Sequence, residues 1–270
     1  MTSALLADVA ALAHVEVASE AQYLAAWSEH VQSRTAEGSF ALALAGGYLA
    51  DRLAWVFVAG YQAALRATFT GLQLPGWTAL AVSEDRGKDN PLPGLTWQAS
   101  RSGYSLDGYK TWIAAVQQVQ HIIVRARGEQ PELFLMARDT PGLILSVSPD
   151  PAMLPDLSQG KAQLKGVEVG ASARLDIDSL TGFGQREALH IYIAFVGMCL
   201  RAAEANTADT SSCLRLLEQA EPLADDCDEA SFAAFSREIQ ALRERVSETL
   251  FADDAHWQRD QRLIAMYHRG

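Results

Sequence analysis

Cysteine is scarce in this chain: there are three in 270 residues, Cys199, Cys213 and Cys227, and none falls in a CxxC pair. Three thiols cannot form a closed disulfide framework, which excludes a stapled secreted scaffold and fits a reducing, cytoplasmic setting. Basic residues are also few. Lys and Arg total 22 against 33 Asp and Glu, a formal charge of −11, and no Lys/Arg-rich run offsets it. Negative charge of that size repels phosphate backbones, so nucleic acid is not an expected partner. Long apolar runs are missing too. Asp51 and Arg52 interrupt the region 41–69, and the run 191–200 is about half of what spans a bilayer, so no membrane association is expected. The opening MTSALLADVAALAHVEV lacks a basic stretch and carries Asp8 and Glu16 where a signal peptide stays apolar. Metal-ligand spacing is absent as well. His14, His30, His121, His190, His256 and His268 include no i, i+4 pair, and the acidic run 225–229 lacks the spacing and glycine of a calcium loop. Acidic residues that open the next helix explain that run better.

What is present is ordinary globular material, 49% hydrophobic and 20% charged, enough for one large domain or two to three small ones. The texture changes twice and divides the chain into an N-terminal helical segment 1–73, a middle β segment 74–180 and a shortened C-terminal helical segment 181–270. The first is rich in Ala and Leu, has no proline before Pro75, and repeats apolar residues at helical spacing in Leu49, Leu53, Val56, Phe57 and Tyr61. The pair Gly46-Gly47 inside it marks either a helix break or a close approach of another backbone. In the middle segment lie all prolines except Pro222, and the apolar stretches shorten to strand length at 77–82, 95–99, 121–126, 133–137, 143–147 and 162–169. Turn residues separate them at Asn90-Pro91, Asp107-Gly108, Thr140-Pro141-Gly142 and 158–160. Such spacing predicts an antiparallel barrel or sandwich. Helices return at 186–204, 211–220, 228–250 and 253–268, with Pro222 punctuating the second and third. The fold class is α+β, multidomain: helices, then a β-barrel or sandwich, then a helical bundle.

The middle segment also carries a pattern of residues known from one family. Ala79-Leu80-Ala81-Val82-Ser83-Glu84 is followed by Gly103-Tyr104-Ser105-Leu106-Asp107-Gly108-Tyr109-Lys110-Thr111-Trp112-Ile113. Then come the run 121–127, Leu133-Phe134-Leu135 and Pro141-Gly142-Leu143. This resembles the middle β domain of the acyl-CoA dehydrogenases, in which a Thr-Glu-Pro element ends one strand and a Leu-x-Gly-x-Lys-x-Trp-Ile element forms a hairpin. The resemblance covers roughly residues 40–210. It implies flavin adenine dinucleotide (FAD) as cofactor, an acyl-CoA or other acyl thioester as substrate, oxidation at its CH–CH bond, and a glutamate as base.

Residue by residue, the resemblance assigns Val82 and Ser83 to the flavin ring and Trp112, Ile113 and Ala114 to its edge. Ser83 keeps the hydroxyl of the family's threonine, whereas Ala114 lacks the hydroxyl found at its position. The loop 85–90 reads Asp-Arg-Gly-Lys-Asp-Asn in place of a glycine-rich turn carrying a serine. The base matches Glu187, near the start of the first C-terminal helix; the alternative is a solvated glutamate favoured by the helix dipole. Ser83 reads equally as an exposed strand-end serine, and Trp112 as a tryptophan filling the edge of a barrel core. Independently of the resemblance, a homodimer or higher oligomer is expected, because apolar Ile191, Ile193, Phe195, Val196 and Leu200 of the shortened helical segment would need a second copy to cover them. The other functional class is a catalytically inactive scaffold or interaction protein that keeps the fold without flavin.

Overall fold

A computed structural model describes residues 3–12, 17–87 and 89–268. His14 and Glu16, named above, and Lys88, the lysine of the loop 85–90, lie outside the described residues. Contacts divide the chain into two compact units: residues 1–70 together with 182–270, and residues 71–181. The helical segments on either side of the β segment thus form one unit.

That helical unit is built on three helices, α3 (Ser39–Leu49), α4 (Leu53–Thr68) and α5 (Phe183–Ala205), preceded by α1 (Ser3–Ala10) and α2 (Glu20–His30). Almost every residue of α3 and α4 is buried, as their near-continuous apolar sequence requires. The pair Gly46-Gly47 does not break α3; it is a place of close approach. A Cβ on Gly47 would sit 2.0 Å from the Ala194 carbonyl oxygen, and one on Gly46 would sit 2.8 Å from Ala59 Cβ. Gly60 faces the Ile191 Cα at 2.4 Å and Gly197 the Leu44 carbonyl at 2.7 Å in the same sense. Glycine is there because the helix backbones touch, and each missing methyl lets dispersion contacts form along the seam.

Over an 18-residue window α5 is apolar and long enough to cross a membrane, yet 78% of that window is buried inside the protein. Ile191, Ile193, Phe195, Val196 and Leu200 are all covered by the chain itself, at most 2% exposed. The apolar surface expected to demand a second copy therefore does not exist. Phe195 stacks on Trp257 of α8 (Ala255–Asp260) with ring centroids 5.8 Å apart. Helix α6 (Ser211–Asp225) runs on through Pro222, which lies in its last turn. In α7 (Glu229–Glu248) the first turn is capped by Asp228, whose Oδ1 accepts from the Ser231 N–H at 2.9 Å. The helix expected at 253–268 is two pieces, α8 and α9 (Arg262–Met266), meeting at Gln261.

The β unit holds two four-stranded sheets. One has the order β1 (Thr78–Ala81), β4 (His121–Ala126), β5 (Glu132–Ala137), β8 (Arg174–Leu175); the other runs β2 (Thr96–Ala99), β3 (Tyr104–Ala114), β7 (Gln159–Val169), β6 (Leu143–Val147). Two features differ from the sequence reading. First, β1 and β4 pair in parallel, Thr78 opposite His121 through Ala81 opposite Val124, so the unit is not wholly antiparallel. Between them the chain crosses to the other sheet for β2 and β3 before returning, and a crossover brings a strand back in the same direction.

Second, the segment Leu106 to Ile113 is not a hairpin but part of the single eleven-residue strand β3. Asp107-Gly108 mimics a turn because the strand is bulged there: the register against β7 slips between Leu106 and Gly108. Gly108 has φ 126°, and a Cβ on it would fall 2.4 Å from the Gly94 carbonyl oxygen. Gly160, also expected in a turn, lies within β7 opposite Val147. Leu106, Ile113, Leu164 and Val167 of one sheet and Ile122, Ile123, Val124 and Phe134 of the other are buried within this unit.

Candidate functional site

Val82 and Ser83 follow directly on the end of β1. Both are exposed, and Val82 keeps 42% of its surface open, unusual for a β-branched apolar residue next to four fully buried ones. The segment is tied to the edge of β3. The Ser83 carbonyl accepts from the Thr111 N–H at 3.0 Å, and Lys110 Nζ reaches the Val82 carbonyl at 3.4 Å and Glu84 Oε1 at 2.8 Å. Trp112 is half-buried, and its Nε1 donates to Gln159 Oε1 at 3.1 Å, which fixes the plane of the indole. Ile113 and Ala114 are buried at 0% and 2% exposure, so their side chains face the protein and not a ligand. Of the five residues assigned to the flavin, Val82, Ser83 and Trp112 thus present side-chain surface together along one edge of the β unit.

Lys110, the lysine of the Leu-x-Gly-x-Lys-x-Trp-Ile pattern, gains a role only from its surroundings. A lysine 1% exposed in mid-strand is costly unless paired. Burial, and then the Arg125 guanidinium, press its ammonium toward the neutral form, while the adjoining Glu84 carboxylate favours the proton. Glu84 also pairs with Arg127 through its other oxygen. The loop after Glu84 is shaped by Asp85: its Oδ1 accepts from the Gly87 N–H at 2.8 Å and its Oδ2 from the Leu92 N–H at 3.1 Å. Those two backbone donors, Leu92 first, hold the Asp85 carboxyl below its ordinary value. The turn that glycine and serine were expected to supply is therefore made by an aspartate side chain bonding its own backbone.

Beside this edge opens a cavity of about 480 Å³, lined by Val82, Glu84, Arg86, Lys110, Arg125 and Arg127 among others. A larger one of about 630 Å³ lies elsewhere in the same unit, next to β8. Its one arginine is already matched, since Arg174 Nε donates to Glu132 Oε2 at 2.8 Å and Nη2 to Oε1 at 2.5 Å.

Glu187 sits in the second turn of α5 within the helical unit. It is half-buried, and burial pushes its carboxyl up to about 7, against a smaller downward pull from the Tyr267 hydroxyl that donates to it. The carboxylate shares its helix face with Ile191 and Ala194, the residues that abut Gly60 and Gly47. Arg186, beside it in sequence, is turned to α4, where its Nε donates to Thr68 Oγ1 at 3.1 Å. His190 is fully buried; its Nδ1 lies 2.7 Å from the Arg186 carbonyl, and burial lowers it to about 4. Tyr267 was not foreseen, because nothing local in the sequence ties it to a glutamate in a distant helix.

No protein-family model matches the chain, and no curated protein matches it by sequence. Solved structures do. An FAD-dependent dehydrogenase is 13% identical with a TM-score of 0.70, over 93% of this chain and 87% of that one. Butyryl-CoA dehydrogenase from Megasphaera elsdenii is 14% identical with a TM-score of 0.68, over 99% of this chain and 94% of that one. The prolyl acyl carrier protein oxidase AnaB is 17% identical with a TM-score of 0.63, over 98% of this chain and 88% of that one. At these identities the likeness is one of fold. The chain has the acyl-CoA dehydrogenase fold, and the likeness is not confined to residues 40–210 but runs over nearly all of it.

Proposed function

We propose that this protein is an FAD-dependent oxidoreductase acting at the CH–CH bond of an acyl thioester. The observation that carries this reading is Glu187: a half-buried carboxyl held at about 7, with a tyrosine hydroxyl as hydrogen-bond donor. A general base works best when its proton affinity lies near the working pH, and a solvated first-turn glutamate would not have that property. The fold supports the same reading, as do the FAD-dependent dehydrogenase and the butyryl-CoA dehydrogenase that share it.

The residues of the β unit fit a planar aromatic ring in part. Val82 offers exposed apolar surface, Ser83 an exposed hydroxyl, and Trp112 an indole braced by Gln159. These three would hold the flavin; Ala114, which lacks a hydroxyl, contributes no donor. When bound, the flavin would supply the acceptor for the hydride, two electrons with their hydrogen, that leaves the β carbon. Glu187 in its ionised form takes the α proton of the thioester and becomes the neutral acid. Tyr267 favours the ionised carboxylate through its hydrogen bond and orients the accepting oxygen.

The experiment is the colour of the protein. The chain, purified and incubated with FAD, is expected to be yellow and to release flavin on denaturation. An acyl-CoA is expected to bleach it, while Glu187→Gln keeps the visible spectrum and does not bleach. One observation favours the second reading, an inactive scaffold: Ala114 stands buried where a hydroxyl donor is expected. A preparation that stays colourless after incubation with FAD would establish that reading in place of the first.

A further inference from the structure

The cavity beside Val82 holds more positive charge than its own carboxylates can use. Both carboxylates are fully engaged. Glu84 Oε1 accepts from Lys110 at 2.8 Å and its other oxygen pairs with Arg127; Asp85 is occupied by the backbone N–H groups of Gly87 and Leu92. Arg86 and Arg125 line the same cavity, and among the described residues neither guanidinium has a hydrogen-bond or ion-pair partner. Four cationic side chains therefore face two carboxylates, in a protein whose formal charge is −11. A cationic cavity in an acidic chain focuses anions from solution against the repulsion of the rest of the surface.

The placement of the cations selects the kind of anion. Arg125 is the last residue but one of β4 and Arg127 follows two residues on, so in the extended chain their side chains leave the same face. Lys110 is held at the wall, 1% exposed, by Glu84 and the Val82 carbonyl. Arg86 comes from the loop that follows β1. Guanidinium groups approaching from two elements match the several oxygens of a phosphate better than the two of a carboxylate, because each fork can take its own oxygen pair. The volume, about 480 Å³, is that of a small-molecule site.

We propose that this cavity binds the phosphate of an organic phosphate ester, gripped by Arg86 and Arg125 with Lys110 in its wall. The identity of the ester rests on the function proposed above, since FAD and coenzyme A both carry phosphates; the site itself does not.

The test is calorimetric titration of the full chain with inorganic pyrophosphate, FAD, riboflavin, coenzyme A and pantetheine. It is repeated on Arg86→Gln, Arg125→Gln and, as a control for bulk charge, Arg101→Gln, an exposed arginine of the same unit outside the cavity. Circular dichroism confirms that each variant is folded. Pyrophosphate is expected to bind and to lose about tenfold in affinity with either cavity substitution, while Arg101→Gln leaves it unchanged. Weaker FAD with unchanged riboflavin assigns the site to the flavin; weaker coenzyme A with unchanged pantetheine assigns it to the thioester arm. If no phosphate-bearing probe binds, or all bind the cavity variants as tightly as the unaltered protein, the phosphate site is overturned. Riboflavin and pantetheine binding without any gain from phosphate would remove this site and leave the proposed function standing. Pyrophosphate binding lost in both cavity variants, with no flavin or thioester bound, would do the reverse.

Discussion

The hydroxyl of Tyr267 donates to the carboxylate of Glu187, joining the last described stretch of the chain to the second turn of α5. Burial raises this carboxyl from 4.5 to about 7, so the folded chain keeps a proton that the unfolded chain releases. The stability this contributes is fully present below 4.5 and is lost as pH rises through about 7. His190 acts in the other direction. Burial lowers it from 6.5 to about 4, and its contribution is lost as pH falls through that interval. Thermal unfolding followed between about pH 5 and about pH 8 should show the alkaline slope in the unaltered protein and not in Glu187→Gln. An identical slope in both would mean that Glu187 is solvated.

Removing the Tyr267 hydroxyl has a signed consequence. Its hydrogen bond favours the ionised carboxylate, so Tyr267→Phe should raise the Glu187 carboxyl further above about 7. The alkaline loss of stability then moves to higher pH, which the same unfolding series detects. A shift downward would show that the tyrosine does not donate to this group.

The seam between the helix backbones can be tested by adding one methyl. Gly47→Ala would place a Cβ 2.0 Å from the Ala194 carbonyl oxygen, with no flexible side chain to move aside. We expect it to cost about 3 kcal/mol or more in denaturant unfolding. Gly71→Ala meets nothing within 4 Å and should stay within about 0.5 kcal/mol of the unaltered protein. Equal stability of the two variants would contradict the close approach.

Lys110 offers a test of the buried pair. Lys110→Met leaves Glu84 with Arg127 alone, and we expect a loss of about 3 kcal/mol, the low end for breaking a buried ion pair. The double variant Lys110→Met with Glu84→Gln should recover part of it, because no carboxylate is then left short of a cation. A double variant less stable than the single one by the full effect of Glu84→Gln would show that the two residues do not interact.

Several elements were legible from local patterns. The β4 and β6 strands were read to the residue, and the buried faces of α4 and α5 followed from apolar spacing. Where the reading failed, a local signal had two physical causes. Asp107-Gly108 is as good a turn as it is a bulge, and only Gly94 pressing on the glycine decides between them. Pro222 lacks the N–H that would reach back one turn, but its carbonyl still accepts from the Asp226 N–H, so α6 ends three residues beyond it rather than before it. The candidate site was legible at Val82, Ser83 and Trp112 because they lie in a contiguous pattern. Its charges were not: Lys110, Glu84, Arg125 and Arg127 come from three separate elements, and Tyr267 meets Glu187 from the far end of the chain.

Because α5 fills the seam of α3 and α4, the helical unit cannot close until residues well beyond 181 have been made. During synthesis the glycine-lined faces of α3 and α4 wait while the whole β unit emerges from the ribosome, and that unit, being contiguous in sequence, can fold first. The nascent chain therefore carries an open apolar groove for the longest part of its birth, and its yield in cells should depend on holdase chaperones more than the stability of the finished protein suggests.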